Sequence, residues 1–330
     1  MKHILGLAMI GLMASPAAAQ IVVDGTLDAA YGAPLAVQTV ETQFGDSTGG
    51  LTSGGELDAG YARIAGGRLY IMLTGNIENN FNKVSVFIDS QPGGENVLNG
   101  ALAYDFNNVA SNFGGLTFDA GFEADYHLFG RWGGGGNVFD LDFVNRAASV
   151  PGNVRGDTGS ASVGGGTPIQ SGSVLGNGTG TTSILTSPVT FGFNNTNSAG
   201  VAGGTGAANQ VAAAAVTTGL EISIALADIG NPVFGDLIKI HAAYGNGDNN
   251  FHSNQILSGL PTGLMNGIPA GTGNLGGDGN GGFTGSLSGI NFNNFAGDQF
   301  FSLRVPVPEP SALALAGLGG VAASLLRRKR

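Results

Sequence analysis

The sequence has no cysteine. That excludes disulfides, thiolate metal sites and cysteine nucleophiles, so the fold must be held by its core, by a metal or by neighbouring molecules. Charge is also scarce: 13 Lys and Arg against 23 Asp and Glu in 330 residues. There is a single tryptophan, Trp132, and no Gly-Lys pair, which excludes a phosphate-binding P-loop. Helix-forming stretches are few. Ala207–Val216 is Ala-rich and predicts about two turns, and Leu226–Gly230 reads as a short turn after a strand.

What the chain has in excess is glycine, 60 of 330 residues, with no Gly-X-Y period. Glycine at this level, with so few charges, predicts many turns and long loops between short strands. The strands show period-two patterning in β-branched and aromatic residues: Arg68–Thr74, Lys83–Asp89, Ala124–Phe129, Val138–Phe143, Leu220–Ala225, Leu237–Tyr244 and Phe300–Val305. Gly and Asn clusters separate them. The expected fold is mainly β, an antiparallel β-sandwich or jelly roll with long Gly-rich loops. Two stretches, 147–218 and 259–285, read as loop-rich, the first with short hairpin strands. No fixed-period repeat or linker divides the body, so one domain is expected.

Both ends carry addresses. Met1-Lys2-His3, the apolar Ile4–Met13 and Ala17-Ala18-Ala19 before Gln20 form a secretory signal peptide over 1–19, an N-terminal signal helix that implies passage through a secretion translocon. The mature body is then 20–305. Setting aside Lys2 and the four terminal cations leaves eight of the 13 basic residues, and setting aside Glu309 leaves 22 of the 23 acidic ones, so the body carries about −14. Such a surface repels phosphate backbones, which excludes nucleic acid as a partner, and attracts divalent cations.

At the other end, Pro308, Glu309 and Pro310 form a stiff junction, Ser311–Leu326 is an uncharged apolar run, and Arg327, Arg328, Lys329 and Arg330 close the chain. As a hydrophobic helix the run spans about 24 Å, somewhat under a bilayer core of about 30 Å. The four cations are a stop-transfer signal that keeps everything before them outside. These three parts, in this order over 306–330, resemble the PEP-CTERM sorting signal of exported bacterial proteins. The resemblance implies recognition by a membrane-embedded exosortase, processing near Pro-Glu-Pro, and transient inner-membrane anchoring. Delivery to the cell surface or extracellular matrix would follow, often beside exopolysaccharide. An ordinary tail anchor or a C-terminal core helix is the alternative reading of the residues.

The body carries a second likeness. Asp24-Gly-Thr-Leu-Asp28 with Tyr31-Gly32, the strands Leu69–Leu73 and Val86–Asp89, and Gly219-Leu-Glu221-Ile-Ser-Ile224 resemble the family-9 carbohydrate-binding and DOMON-like sandwiches. The long Gly-rich insertions and the single tryptophan depart from that pattern. Asn79–Lys83, His252–Gln255 and Ile290–Gln299 are similar to stretches of exported proteins with this tail, a family of unknown biochemical role.

Catalytic motifs lack their context. Gly45-Asp-Ser47-Thr-Gly49 fits a nucleophile elbow by letter, but Gly-rich sequence rather than a helix follows. Gly277–Gly282 has dinucleotide spacing without a βαβ surround. His127, His241 and His252 have no helical metal spacing. Calcium is the more plausible ion, with hard oxygens on turns at Asp89 with Glu95, at Asp248 and at Asp278; the alternative is that these residues simply make turns. Trp132 in Gly130–Gly136 is expected in a flexible loop as a candidate glycan platform with Tyr126; the alternative is a ring folded over a sheet edge. The function expected is a non-enzymatic surface or matrix protein with a glycan-binding face. A purely structural or cohesive component, or a secreted hydrolase, are the alternatives.

Overall fold

A computed structural model describes residues 20–44, 54–102, 108, 110–134, 138–147, 156–162, 169–174, 184–260, 264–265, 268–269 and 273–307. It is mainly β. The strands in chain order are β1 (Ala36–Val37), β2 (Glu56–Ala65), β3 (Arg68–Asn76), β4 (Lys83–Asp89), β5 (Tyr126–Gly133), β6 (Val138–Asn145), β7 (Gly156–Ser162) and β8 (Ile169–Val174). They continue as β9 (Val189–Asn194), β10 (Gly219–Ala225), β11 (Leu237–Gly245), β12 (His252–Leu257), β13 (Leu264–Met265), β14 (Ile268–Pro269) and β15 (Phe301–Arg304).

The strands form two main antiparallel sheets. Sheet one has the order β1-β2-β3-β10-β9-β8 and sheet two the order β12-β11-β4-β5-β6-β7. Strand β15 shares an edge of β11 with β12: Leu237–Ile240 pair with Arg304–Phe301, and Ala242–Gly245 pair with Leu257–His252. The loop-rich stretch 147–218 supplies β7 to sheet two and β8 and β9 to sheet one, so it carries the chain from one sheet to the other.

Alternation places the core. Val84, Val86 and Ile88 of β4, Leu128 and Trp132 of β5, and Ile238 and Ile240 of β11 join Leu69, Ile71 and Leu73 of β3, Ile222 of β10 and Phe191 of β9 in one buried cluster. Both sheets therefore contribute to the same core. Strand β4 is buried along its whole length because its other face is covered too. Phe87 of β4 packs there with Phe113, Phe118, Phe122, Leu287, Ile290 and Phe292 from two long loops. The outer face of sheet one is covered by Ile21, Ala30 and Tyr31 over Ala59, Tyr61 and Met72.

A polar seam joins the sheets along one side. Gln255 of β12 accepts from Leu57 N of β2 at 3.2 Å, and the Gln38 amide donates to Leu57 O and Ile256 O. Asn254 donates to Glu41 O at 2.6 Å. These amides are buried, and hydrogen bonding is what makes their burial tolerable.

The Ala-rich stretch forms a helix at Gln210–Ala214, with Asn209 accepting from Ala212 N as N-cap. The expected signal helix and C-terminal hydrophobic helix lie outside the described residues; within these, no helix is long and apolar enough to cross a membrane.

Candidate functional site

Trp132 is not in a loop. It lies near the end of β5 with its indole fully buried, 5.2 Å from the Phe193 ring of the opposite sheet. Strand alternation turns its side chain inward, so it presents no face to a sugar, and the expectation of a loop-borne platform is corrected. Tyr126, six residues earlier on the same face, is buried against Phe143 at 5.7 Å. Burial, with Asp125 adding to it, raises its hydroxyl to about 12.

The candidate calcium ligands do not converge. Asp89 pairs with Lys239 at 2.8 Å and Glu95 with Arg146 at 2.9 Å. The backbone carbonyl of Asp248 accepts from the Asn112 amide at 2.8 Å. Asp278 folds back on its own turn, accepting from Asn280 N and Gly282 N at 2.8 Å each, and these bonds lower its pKa. No group of three or more His, Asp or Glu suited to a metal occurs among the described residues. Ser47 lies outside them, as do Pro308, Glu309, Pro310, Arg327, Arg328, Lys329 and Arg330.

The three body histidines are buried on the outer, loop-covered face of sheet two. His127 stacks on Phe87 at 3.9 Å, and neither ring nitrogen has a hydrogen-bond partner. His241 Nδ1 lies 2.7 Å from Gln299 O, and His252 Nδ1 lies 3.0 Å from Ser253 O. Burial lowers all three pKa values, His241 to about 3 and His252 to about 4. They are neutral members of an aromatic core.

Buried carboxylates organise the body rather than a pocket. Glu221 of β10 accepts from the Tyr31 hydroxyl at 2.8 Å and from Asp24 N and Gly25 N at 2.9 and 3.2 Å. Asp58 accepts from Val201 N at 2.8 Å, and Asn197 Nδ2 bridges Glu56 and Asp58 at 2.9 and 3.3 Å. Burial raises Asp58 to about 7. Both carboxylates are fully buried.

A small open cleft of about 300 Å³ lies elsewhere, lined by Gln43, Phe251, Asn274, Leu275 and Gly279–Gly281. Phe251 stacks on Phe44 at 6.2 Å. Gln43 Oε1 accepts from Asn274 N at 2.8 Å, while Asn274 Oδ1 has no partner. Amides beside a partly exposed ring can bind hydroxyls and a C–H face. The sequence hides this site because Gln43 and Asn274 are 231 positions apart and the second lies in Gly-rich chain.

The chain's C-terminal segment matches a known signal: residues 306–330 match the PEP-CTERM protein-sorting motif. Neither a curated protein nor a solved structure matches the chain.

Proposed function

We propose that this chain is a non-enzymatic exported protein. In this reading an exosortase sorts it through its tail, and it is delivered from the inner membrane to the cell surface or extracellular matrix. The observation that carries the reading is the sorting motif at 306–330, which begins where β15 ends a body built of two antiparallel sheets. In this reading the body is a β-sandwich spanning 20–305 after removal of a signal peptide at 1–19. The buried carboxylates support the non-enzymatic part, since a hydrolytic pair needs an open site between its two groups. Intact mass of the native protein from its own envelope and medium tests the reading. A chain ending near Pro308–Pro310 is expected; a chain running through Arg330 in both fractions would overturn exosortase processing.

The glycan-binding reading attaches to the Gln43–Phe251–Asn274 cleft, because the exposed amide of Gln43 stands beside a partly exposed ring. Titration with exopolysaccharide fragments should show saturable binding that Gln43→Ala weakens about tenfold, one lost hydrogen-bonding group's worth. Absence of binding would favour a purely cohesive role.

A further inference from the structure

A larger concavity lies where the body hands over to the tail. This groove of about 950 Å³ is lined by the β2–β3 hairpin from Ala62 to Gly67, by Leu226, by Pro232–Phe234 and by Leu303–Val307. Backbone bonds clamp its walls together: Gly235 N donates to Val305 O at 3.1 Å and Val305 N to Asp236 O at 2.9 Å. Three of its apolar side chains project to solvent, Val233 at 61%, Phe234 at 63% and Val307 at 62% exposure. Exposed apolar residues grouped around a concavity, rather than scattered singly, mark an interaction surface.

Charge at this face runs against the rest of the chain. The protein carries a net −10, yet the groove lining contains Arg63 and Arg304 and no Asp or Glu. Arg63 donates to Ala30 O at 2.6 Å and Arg304 to Gly235 O at 3.0 Å; among the described residues neither forms an ion pair. Asp236, in the neighbouring turn, accepts from Val233 N at 2.7 Å. An apolar rim with arginines beside it matches a surface that offers hydrocarbon and anionic headgroups together.

Position selects that surface. Val307 is a wall of the groove, and the uncharged run begins at Ser311. Four residues of fully extended chain span at most about 14 Å. The headgroup region adds only about 5–8 Å on each side of the hydrocarbon. With the apolar run in a bilayer, the groove is tethered within reach of the headgroups.

We propose that this groove is a membrane-facing surface: Val233, Phe234 and Val307 dip into an anionic lipid surface, and Arg63 and Arg304 meet its headgroups, while the tail is anchored. The proposal rests on the anchored-transit reading above.

Because the chain has no cysteine, a single label can be placed cleanly. The full chain carrying Phe234→Cys, with an environment-sensitive fluorophore, is reconstituted into phosphatidylethanolamine–phosphatidylglycerol vesicles. A second sample is labelled at Val211→Cys, on the helix Gln210–Ala214 and outside the groove. Flotation comes first. A chain that stays at the bottom of the gradient overturns the anchored reading and the membrane-facing groove with it. For a chain that floats, a lipid-borne quencher is expected to dim the label at 234 several-fold more than the label at 211, and R63E/R304E should at least halve that difference. Equal dimming with free access for aqueous iodide overturns the groove proposal and leaves anchoring intact. Protection from iodide without lipid quenching also overturns it, since the groove is then filled by protein, either the tail folded back or a second copy.

Discussion

The hydroxyl of Tyr31 donates to Oε1 of Glu221 at 2.8 Å, across 190 positions of sequence, and this bond fastens the start of the body to the centre of sheet one. Oε2 of the same carboxylate takes the N–H groups of Asp24 and Gly25. Gly25 sits at φ +79°, and a Cβ there would come within 2.6 Å of Asn194 N, so the loop can approach only as glycine. The Asp-Gly-x-x-Asp opening and the Gly-x-Glu strand are thus two halves of one internal clamp.

Removing the phenol should loosen this clamp. Tyr31→Phe is expected to lower stability by about 1–3 kcal/mol, the value of a bond to a buried carboxylate. Glu221→Ala should cost more, because it orphans three donors at once. Urea unfolding checks both: the midpoint should fall with the slope unchanged.

Asp125 gives a pH prediction with a definite sign. Burial raises it to about 7, despite bonds from Ser90 N and Gln91 N. The folded state therefore holds this proton more tightly than the unfolded chain does. The stabilisation is full below the unfolded value near 4 and disappears as pH rises through about 7. Asp125→Asn lacks this dependence. Relative to the parent, it should be better tolerated at about pH 8 than at about pH 5, by at least about 1 kcal/mol, one pKa unit's worth. Urea melts at the two pH values decide it; equal differences would contradict the assignment.

His127 works in the opposite direction. Its pKa lies well below the ordinary value, first through burial and then through Arg146, so the folded state resists protonation that the unfolded chain accepts below about 6.5. Both ring nitrogens are buried without partners between Phe87 and Phe113. His127→Leu should raise stability by about 1 kcal/mol in neutral solution, by removing two unsatisfied polar atoms. The gain should grow on acidification. A variant less stable than the parent at every pH would show that the ring's stacking outweighs its polarity.

The single tryptophan offers a direct probe of the core. Trp132 is enclosed by Phe193 and the aromatic rings of β6 and β9. Its emission should be blue-shifted and hardly quenched by iodide, and should shift red in one step on unfolding. Trp132→Ala should cost about 3–5 kcal/mol, as for other large core truncations.

Much of sheet two was legible. Lys83–Asp89 and Leu237–Tyr244 match β4 and β11 to within a residue, because alternation of Val, Ile and aromatic residues is a local signal. Strands β2 and β12 were not legible. Glu56-Leu-Asp-Ala-Gly and His252-Ser-Asn-Gln look like turns, since their polar side chains are buried and those of Glu56, Asp58, Asn254 and Gln255 bond to partners far away in the chain. Gly60 in β2 makes room for the Phe301 ring of the other sheet, a contact no local pattern announces. Trp132 was misplaced for a related reason: four glycines follow it, and their loop character masked the strand that ends beside them. The sorting tail was plain because its proline junction, apolar run and terminal cations are contiguous. The cleft was not, because it is assembled from three separate stretches, around Gln43, at Phe251 and at 273–281.

The shared edge of β11 has a consequence in time. Leu237–Ile240 wait for Phe301–Arg304, the last strand made before the tail, just as the start of the body waits for Glu221. A chain emerging from its N-terminus can therefore close neither sheet early, and such long-range pairing is intrinsically slow. The sorting motif at 306–330 follows β15 directly. In the anchored-transit reading proposed above, the final strand would dock close to the membrane, and completion of the fold and arrest of export would become a single event.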